Sequence, residues 1–319
     1  MHSLITGGAG FVGSHLTEYL LQKDEKVTIV DNLSTGKFDN VKHLTQNRSL
    51  KIHIDTILNE PLMEHLIKEC DVIYHLAAAV GVRLIIERPV ETIETNIIGT
   101  EEMLKLANRY KKKTLITSTS EVYGKANKIP FAEDDDSVFG PTVKSRWCYA
   151  CSKAMDEYLA LAYYHEKKLP MVIARLFNTI GARQTGQYGM VVPTFVQQAL
   201  LNHPITVYDD GQQSRSFTNV HDVVWALYAL MNDPNAVGQV FNIGNGQEIT
   251  IYGLAELIKE MTGSSSEIQL IPYDQAFESG FEDMRRRVPD ITKLSELTGY
   301  EPKMDLRESI KQIIEYYKK

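Results

Sequence analysis

The sequence is poor in three things, and each scarcity closes off a class of protein. Cysteine stands only at positions 70, 148 and 151 of 319 residues, too few for a disulfide framework, so a reducing cytoplasm is the expected setting. Positive charge is outweighed: 34 Lys and Arg face 41 Asp and Glu, a net charge of −7. That leaves no broad basic surface for nucleic acid or an acidic membrane face. Long apolar runs are missing as well. No window reaches the roughly 18 apolar residues of a membrane span. The apolar start is broken by Gly7, Gly8, Gly10 and Gly13 and has no positive leader region, which argues against a signal peptide. No repeat, low-complexity tract or linker interrupts the chain.

What the sequence does have is alternation. Strand-like runs at residues 2–6, 26–30, 50–54, 72–76, 114–118 and 171–176 are separated by helical patterns at 12–22, 60–70, 90–110 and 149–165. Such a rhythm predicts an α/β fold, a doubly wound parallel sheet covered on both faces. After residue 176 the loops become denser and the strands shorter, as in Ile205 to Tyr208 and Val240 to Ile243. This predicts a dinucleotide-binding domain over 1–176, with a returning segment at about 215–243, and a smaller mixed α/β substrate-binding cap over 177–319. Ligands of open α/β sheets bind beyond the carboxyl ends of the strands.

The turn from the first strand to the first helix reads Thr6-Gly7-Gly8-Ala9-Gly10-Phe11-Val12-Gly13. Gly7 permits a tight turn, Gly10 lets a pyrophosphate approach the backbone, and Gly13 lets the helix lie close to the sheet. The helix start, at Phe11 and Val12, then offers free N–H groups and a positive dipole end. Asp31 closes the second strand 18 residues past Gly13. A carboxylate there accepts from the adenosine ribose hydroxyls and repels a 2′-phosphate, so the expected cofactor is NAD and not NADP. Leu76, Ala77 and Ala78 follow the fourth strand, where small residues allow close approach of a dinucleotide. His75 before them reads equally well as a ligand neighbour or as a packed core residue.

Tyr149 and Lys153 are four apart at a helix start and share a face. Free tyrosine titrates near 10, so a phenolate at neutral pH needs a fall of about 3 pKa units, roughly 4 kcal/mol. A cation some 5–6 Å away at an effective dielectric of ~20 supplies about 3 kcal/mol; the lysine and an oxidised nicotinamide are two such cations. The strand 114–118 runs into Thr119-Ser120-Glu121, which puts a hydroxyl and a carboxyl at the ligand edge. Burial is expected to tune Glu121 as an acid or base. Cys148 and Cys151 bracket Tyr149 at a helix start, where thiolates are favoured. No second ligand pair lies nearby, so no metal is expected and packing is the default.

Taken in order, Gly7/Gly10/Gly13, Asp31-Asn32-Leu33-Ser34-Thr35-Gly36, His75-Leu76-Ala77-Ala78, Thr117 to Gly124 (TSTSEVYG) and Tyr149 with Lys153 resemble the extended short-chain dehydrogenase/reductases. These are Rossmann-type epimerases, dehydratases and decarboxylases of nucleotide sugars. The resemblance covers nearly the whole chain. It implies that Tyr149 deprotonates the sugar 4-hydroxyl while hydride passes to NAD, that Lys153 tunes Tyr149 and holds the nicotinamide ribose, and that Thr119 bonds at carbon 4. It adds Asn32, Ser34, Thr35 and Gly36 to the cofactor site. It assigns Ser120, Asn178, Val192, Tyr208, Arg215 and Arg287 to the nucleotide-sugar, with arginine suited to bidentate phosphate contacts.

Glu121 in a Thr-Ser-Glu arrangement is similar to UDP-glucuronate decarboxylases and extends the chemistry to carbon 5; the basic residue usual before Pro289 is Val288 here. UDP-sugar 4-epimerisation and 4,6-dehydration or related carbon-5 chemistry stand as alternatives, and a pseudoenzyme or sensor that binds NAD is the reading from another class. The helices around 92–110 and 149–165 are expected to form a homodimer seam.

Overall fold

Seven of the β-branched runs join one parallel sheet: β1 (His2–Thr6), β2 (Lys26–Asp31), β3 (Leu50–Ile54), β4 (Val72–His75), β5 (Lys113–Thr119), β6 (Met171–Leu176) and β7 (Gln239–Ile243), in the order β7-β6-β5-β4-β1-β2-β3. The computed structural model describes residues 1–81, 87–187, 189–276 and 284–318. The chain builds β1 to β3 in one direction, then crosses over β1 to continue with β4. The crevice between β1 and β4 is therefore the switch point of this sheet, where a ligand meets two diverging loops. Thr6 pairs with His75 and Val30 with Thr6 at that edge.

Side chains of a strand alternate between faces, and the apolar pairs here do so without a break. Ile5, Ile29, Tyr74, Leu115 and Val172 point to one face, where helices α1 (Phe11–Gln22) and α6 (Val220–Asn232) cover them with Leu16, Leu20, Val223 and Leu227. Their neighbours Leu4, Val30, Ile73, Ile116 and Ile173 point to the other. There α2 (Glu60–Glu69), α3 (Pro89–Tyr110) and α4 (Cys148–Lys167) close the layer with Met63, Met103, Leu104 and Ala160. Burial on both sides explains the unbroken apolar runs at 72–74 of β4 and 171–174 of β6. Helix α3 starts at Pro89, whose missing N–H costs nothing in a first turn, and α4 starts at Cys148, one residue before the expected Tyr149.

A second core lies beside the sheet's carboxyl edge. Helices α5 (Val191–Leu200), α7 (Ile251–Thr262) and α9 (Leu306–Tyr317) enclose Val192, Phe195, Leu254, Ile258, Ile310 and Ile313 against a strand at Ile205–Tyr208. Their starts are fixed locally: Thr250 accepts from Gly253 N at 3.0 Å, and Asp305 accepts from Glu308 N at 2.7 Å. A three-stranded sheet, with Ser214–Ser216 between Glu248–Thr250 and Arg286–Arg287, faces the same edge. A short helix α8 (Thr292–Thr298) then packs back against β7. No described helix is long and apolar enough to cross a membrane.

Candidate active site

At the cofactor end the glycine loop is set by contacts that tolerate no side chain. Gly7 has φ +72°, and a Cβ there would lie 2.9 Å from Ala77 N; at Gly13 it would lie 2.1 Å from Gly7 O. Gly10 differs, since a Cβ on it would meet only Gly7 O at 3.1 Å; the space it leaves is on the ligand side. Gly10 is also the N-cap of α1, and no side chain caps that helix. The first N–H groups of the helix, at Phe11 and Val12, therefore face the crevice without a built-in acceptor, which fits a diphosphate.

Asp31 is buried and accepts from Ala9 N at 2.9 Å and Leu33 N at 2.8 Å. Burial raises its pKa, and these N–H bonds oppose the rise. Gly36 packs on the carboxylate, Asn32 Oδ1 accepts from Ser34 N at 3.1 Å, and Thr35 lies between them half-buried. Ala77 N is held by the Thr6 hydroxyl at 3.2 Å. His75 is a core residue: its ring sits between Thr6 Oγ1 at 2.8 Å and Thr100 Oγ1 at 3.3 Å. Burial first, and then the Lys153 charge, lower its pKa to about 3, so it is neutral.

From this crevice a cavity of about 1060 Å³ opens toward the second core, lined at one end by Phe11, Val12, Leu76 and Ala78 and at the other by Val192 and Tyr208. Thr119, Ser120, Glu121, Tyr149, Lys153, Asn178, Arg215 and Arg287 all line it between. Strand β5 ends at Thr119, whose hydroxyl accepts from Glu121 N at 3.2 Å and also hydrogen-bonds the Tyr149 phenol. Helix α4 stacks Tyr149 and Lys153 on one face, 6% and 3% exposed. Ser152 Oγ donates to Tyr149 O at 2.8 Å and is held by Asn96 Nδ2 at 3.2 Å.

Two electrostatic expectations gain partners here. The phenol was expected to be acidified by Lys153 together with an oxidised nicotinamide. Lys153 Nζ is 2.7 Å from Asp156 Oδ2, so its share is offset. Burial, with the Glu121 and Asp156 carboxylates, pushes the Tyr149 phenol above its ordinary value. Glu121 was expected to be tuned by burial. Burial does disfavour its charge, but the guanidinium groups of Arg146 and Arg287 outweigh it and bring Glu121 down to about 2. Glu121 is therefore a carboxylate at neutral pH, ion-paired to Arg146 and 3.4 Å from Arg287 Nη1. Arg287 Nη1 is equally 3.4 Å from Ser120 Oγ.

Arg287 and Arg215 are register partners on adjacent parallel strands, so their side chains leave the same face toward the cavity. Arg215 Nη1 donates to Ser214 O at 2.8 Å, and Asn178 Nδ2 to Ser216 O at 2.9 Å. Cys148 is a half-buried and Cys151 an exposed free thiol, and both have raised pKa values, with desolvation the first cause, so the helix start does not make thiolates of them. No cluster of metal-binding side chains occurs among the described residues.

Sequence reasoning missed Arg146 and Asp156. Both signals were present as spacing: Arg146 stands three residues before Tyr149, and Asp156 three after Lys153 on the same helical face. It also missed two buried amides on the cavity wall. Gln213 Nε2 donates to Tyr208 O at 3.0 Å and Gln184 Nε2 to Thr179 O at 2.8 Å; the Oε1 atom of each is left without a partner.

Fold and site together define a Rossmann-type α/β enzyme of the extended short-chain dehydrogenase/reductase class. A model of the family described as GDP-mannose 4,6 dehydratase matches residues 4–313, and the chain belongs to that family. It is 42% identical to a UDP-N-acetyl-alpha-D-glucosaminuronate decarboxylase of Bacillus cytotoxicus, over 99% of this chain and 97% of that one. It is 40% identical to UDP-glucuronic acid decarboxylase 1 of Xenopus tropicalis, over 99% of this chain and 72% of that one. Among solved structures, UDP-glucuronic acid 4-epimerase from Bacillus cereus, in complex with UDP-glucuronic acid and NAD, superposes with a TM-score of 0.90. That structure is 29% identical and is matched over 100% of this chain and 99% of its own.

Proposed function

We propose that the chain is an NAD-dependent decarboxylase of a UDP-linked hexuronate, working through a transient 4-keto sugar. The observation that carries this reading is the charge at the sugar end of the cavity. Two arginines, Arg146 and Arg287, meet the buried carboxylate of Glu121, and Arg287 and Ser120 line the cavity beside Tyr149, a guanidinium and a hydroxyl that suit a carboxylate on carbon 5. The two decarboxylase relatives support the same choice.

NAD bound in this crevice would supply one thing, a reversible hydride acceptor for carbon 4. Everything else falls to this chain. Gly7, Gly10 and the N–H groups of Phe11 and Val12 cradle the cofactor diphosphate. Asp31, with Asn32, Ser34, Thr35 and Gly36, holds the adenosine end, and Leu76, Ala77 and Ala78 let the dinucleotide pass close to the sheet. Tyr149 Oη receives the proton of the 4-hydroxyl, and Thr119 bonds the same oxygen. Lys153 holds the nicotinamide ribose. Asn178, Val192, Tyr208 and Arg215 bind the nucleotide diphosphate of the substrate.

Arg287 and Ser120 hold the carbon-5 carboxylate, and Glu121 aims Arg287. A ketone at carbon 4 makes that carboxylate β to a carbonyl. The carbon–carbon bond then breaks with release of carbon dioxide, its electron pair passing into the ketone. Carbon 5 takes up a proton, and Tyr149 Oη gives its proton back to the oxygen on carbon 4, where the hydride first removed is restored.

We also propose that the chain acts as a cytoplasmic homodimer, with residues 1–176 and the return at about 215–243 as the cofactor domain and 177–319 as the cap. The pairing of α3 with α4, and the exposure of Val90, Met155 and Tyr158 along them, support a dimer seam there.

The test is to incubate the enzyme with NAD and UDP-glucuronate, and separately with UDP-N-acetylglucosaminuronate, and to follow carbon dioxide release and the product by NMR. A UDP-pentose with one carbon dioxide per turnover is expected from at least one of them. An isomeric hexuronate formed without carbon dioxide would replace this reading with 4-epimerisation.

A further inference from the structure

Among the buried charges that the mechanism above leaves unused, one touches its lysine. Asp156 sits three residues beyond Lys153 on α4, 1% exposed, with Oδ2 2.7 Å from Lys153 Nζ. The Thr100 hydroxyl is its other hydrogen-bond partner. An ionised carboxylate in such a place is costly unless paired. Lys153 has the complementary problem, being 3% exposed. The pair is buried, and its lysine lines the cavity.

We propose that Asp156 is a positioning residue for Tyr149 and Lys153: its carboxylate anchors the ammonium beside the phenol and sets the pH at which the pair releases its first proton. This rests on the catalytic reading of Tyr149 and Lys153 given above.

The charges around the pair are few and accounted for. On α4 itself, Glu157 is bound to Arg175 of β6 through two nitrogens. From α3, Thr100 contributes a neutral hydroxyl that favours the ionised form of Asp156. From β4, His75 is neutral. From the end of β5, Glu121 is closed by Arg146 and Arg287. Asp156 is thus the one anion bonded directly to Lys153 among the described groups. Its field favours retention of the proton on Tyr149.

Removal of that charge lowers the proton affinity of the pair as a whole, whichever of the two gives up its proton first. It also leaves the Lys153 cation, while it stays protonated, uncompensated beside the site of the nicotinamide. The oxidised ring carries a positive charge and the reduced ring does not, so the two cofactor forms respond differently.

The experiment compares the full chain with Asp156→Asn and Asp156→Glu. Hydride transfer is followed across pH by NADH absorbance in single turnover, and the dissociation constants of NAD and NADH are measured by calorimetry near pH 7. In Asp156→Asn the midpoint of the alkaline-going rise in hydride transfer is expected to move about one pH unit lower. The ratio of the NAD to the NADH dissociation constant is expected to rise about ten-fold. Asp156→Glu keeps the charge, displaces the anchor and moves both quantities less; it serves alone should the asparagine variant fail to fold. Wild-type midpoints and wild-type affinity ratios in the variants, whatever their melting temperature, would overturn the proposal. Failure of the underlying reading looks different: Tyr149→Phe would then transfer hydride as the wild type does.

Discussion

Two buried ionic clusters meet around Tyr149, and they are built to opposite plans. In one, Glu121 is shared by Arg146 and Arg287, with side-chain exposures of 11%, 4% and 12%. In the other, Lys153 is paired with Asp156, at 3% and 1%. The first gathers two guanidinium groups on one carboxylate at the cavity wall, and the second joins one ammonium to one carboxylate. Guanidinium forks recognise carboxylates and phosphates, so the first cluster is suited to an anion that arrives with a ligand. The second holds an ammonium in place. Charged pairs thus serve binding at one side of the phenol and alignment at the other, and donor geometry makes the difference.

The sharpest way to break this contrast is to remove the group between the clusters. Tyr149→Phe deletes the proton acceptor while leaving both ion pairs in place. Hydride transfer is expected to fall by about 10³-fold, read as NADH absorbance in single turnover, with NAD affinity within about two-fold of wild type. Next comes the first cluster itself. Arg287→Met removes one of the two guanidinium groups on Glu121 and leaves the pair with Arg146 in place. Decarboxylation is expected to drop by about 10²-fold, measured as carbon dioxide released, and the Michaelis constant for a UDP-hexuronate should rise more than that for a UDP-hexose. Equal losses for acidic and neutral sugars would show that Arg287 serves the diphosphate instead.

That asymmetry also marks what could be read from residues alone. The glycine loop, Asp31 and the alternation of strands were legible because each answers a local demand: a φ of +72° at Gly7, or a 2.1 Å approach at Gly13. Tyr149, Lys153, Thr119 and Glu121 were legible as members of the cavity wall. Their charge states were not. The partners that decide them come from elsewhere in the chain, as Arg287 reaches Glu121 across 166 residues. Arg146 and Asp156 are close in sequence to Tyr149 and Lys153, but only packing turns their spacing into contact. His75 shows the reverse case, a motif residue that two threonine hydroxyls and burial make a neutral core group.

A smaller effect should come from neutralising the anion of the first cluster. Glu121→Gln removes the aim of Arg287 but keeps the cation. Carbon dioxide release is expected to slow by about ten-fold, with hydride transfer reduced less, so that NADH builds up during turnover. NMR of the trapped sugar should then reveal the 4-keto hexuronate. Wild-type partitioning in this variant would mean that Glu121 does not direct carbon-5 chemistry.

The smallest expected effect is on stability, and its sign follows from the direction of the Glu121 shift. The carboxyl is held at about 2 in the fold against an ordinary value of 4.5. Its ionised form therefore stabilises the protein in full above about 4.5, and this contribution is lost as pH falls toward about 2. The buried His15 and His75, lowered to about 4 and about 3 mainly by burial, also weaken the fold as pH drops below the ordinary histidine range. They do so in the wild type and in Glu121→Gln alike, and cancel in the difference between the two. Urea unfolding at pH 6 and pH 3 should thus show the glutamine variant losing less stability on acidification than the wild type. Parallel losses would place Glu121 outside the ion pairs in solution, and would remove the arginine-bound carboxylate on which the contrast between the clusters depends.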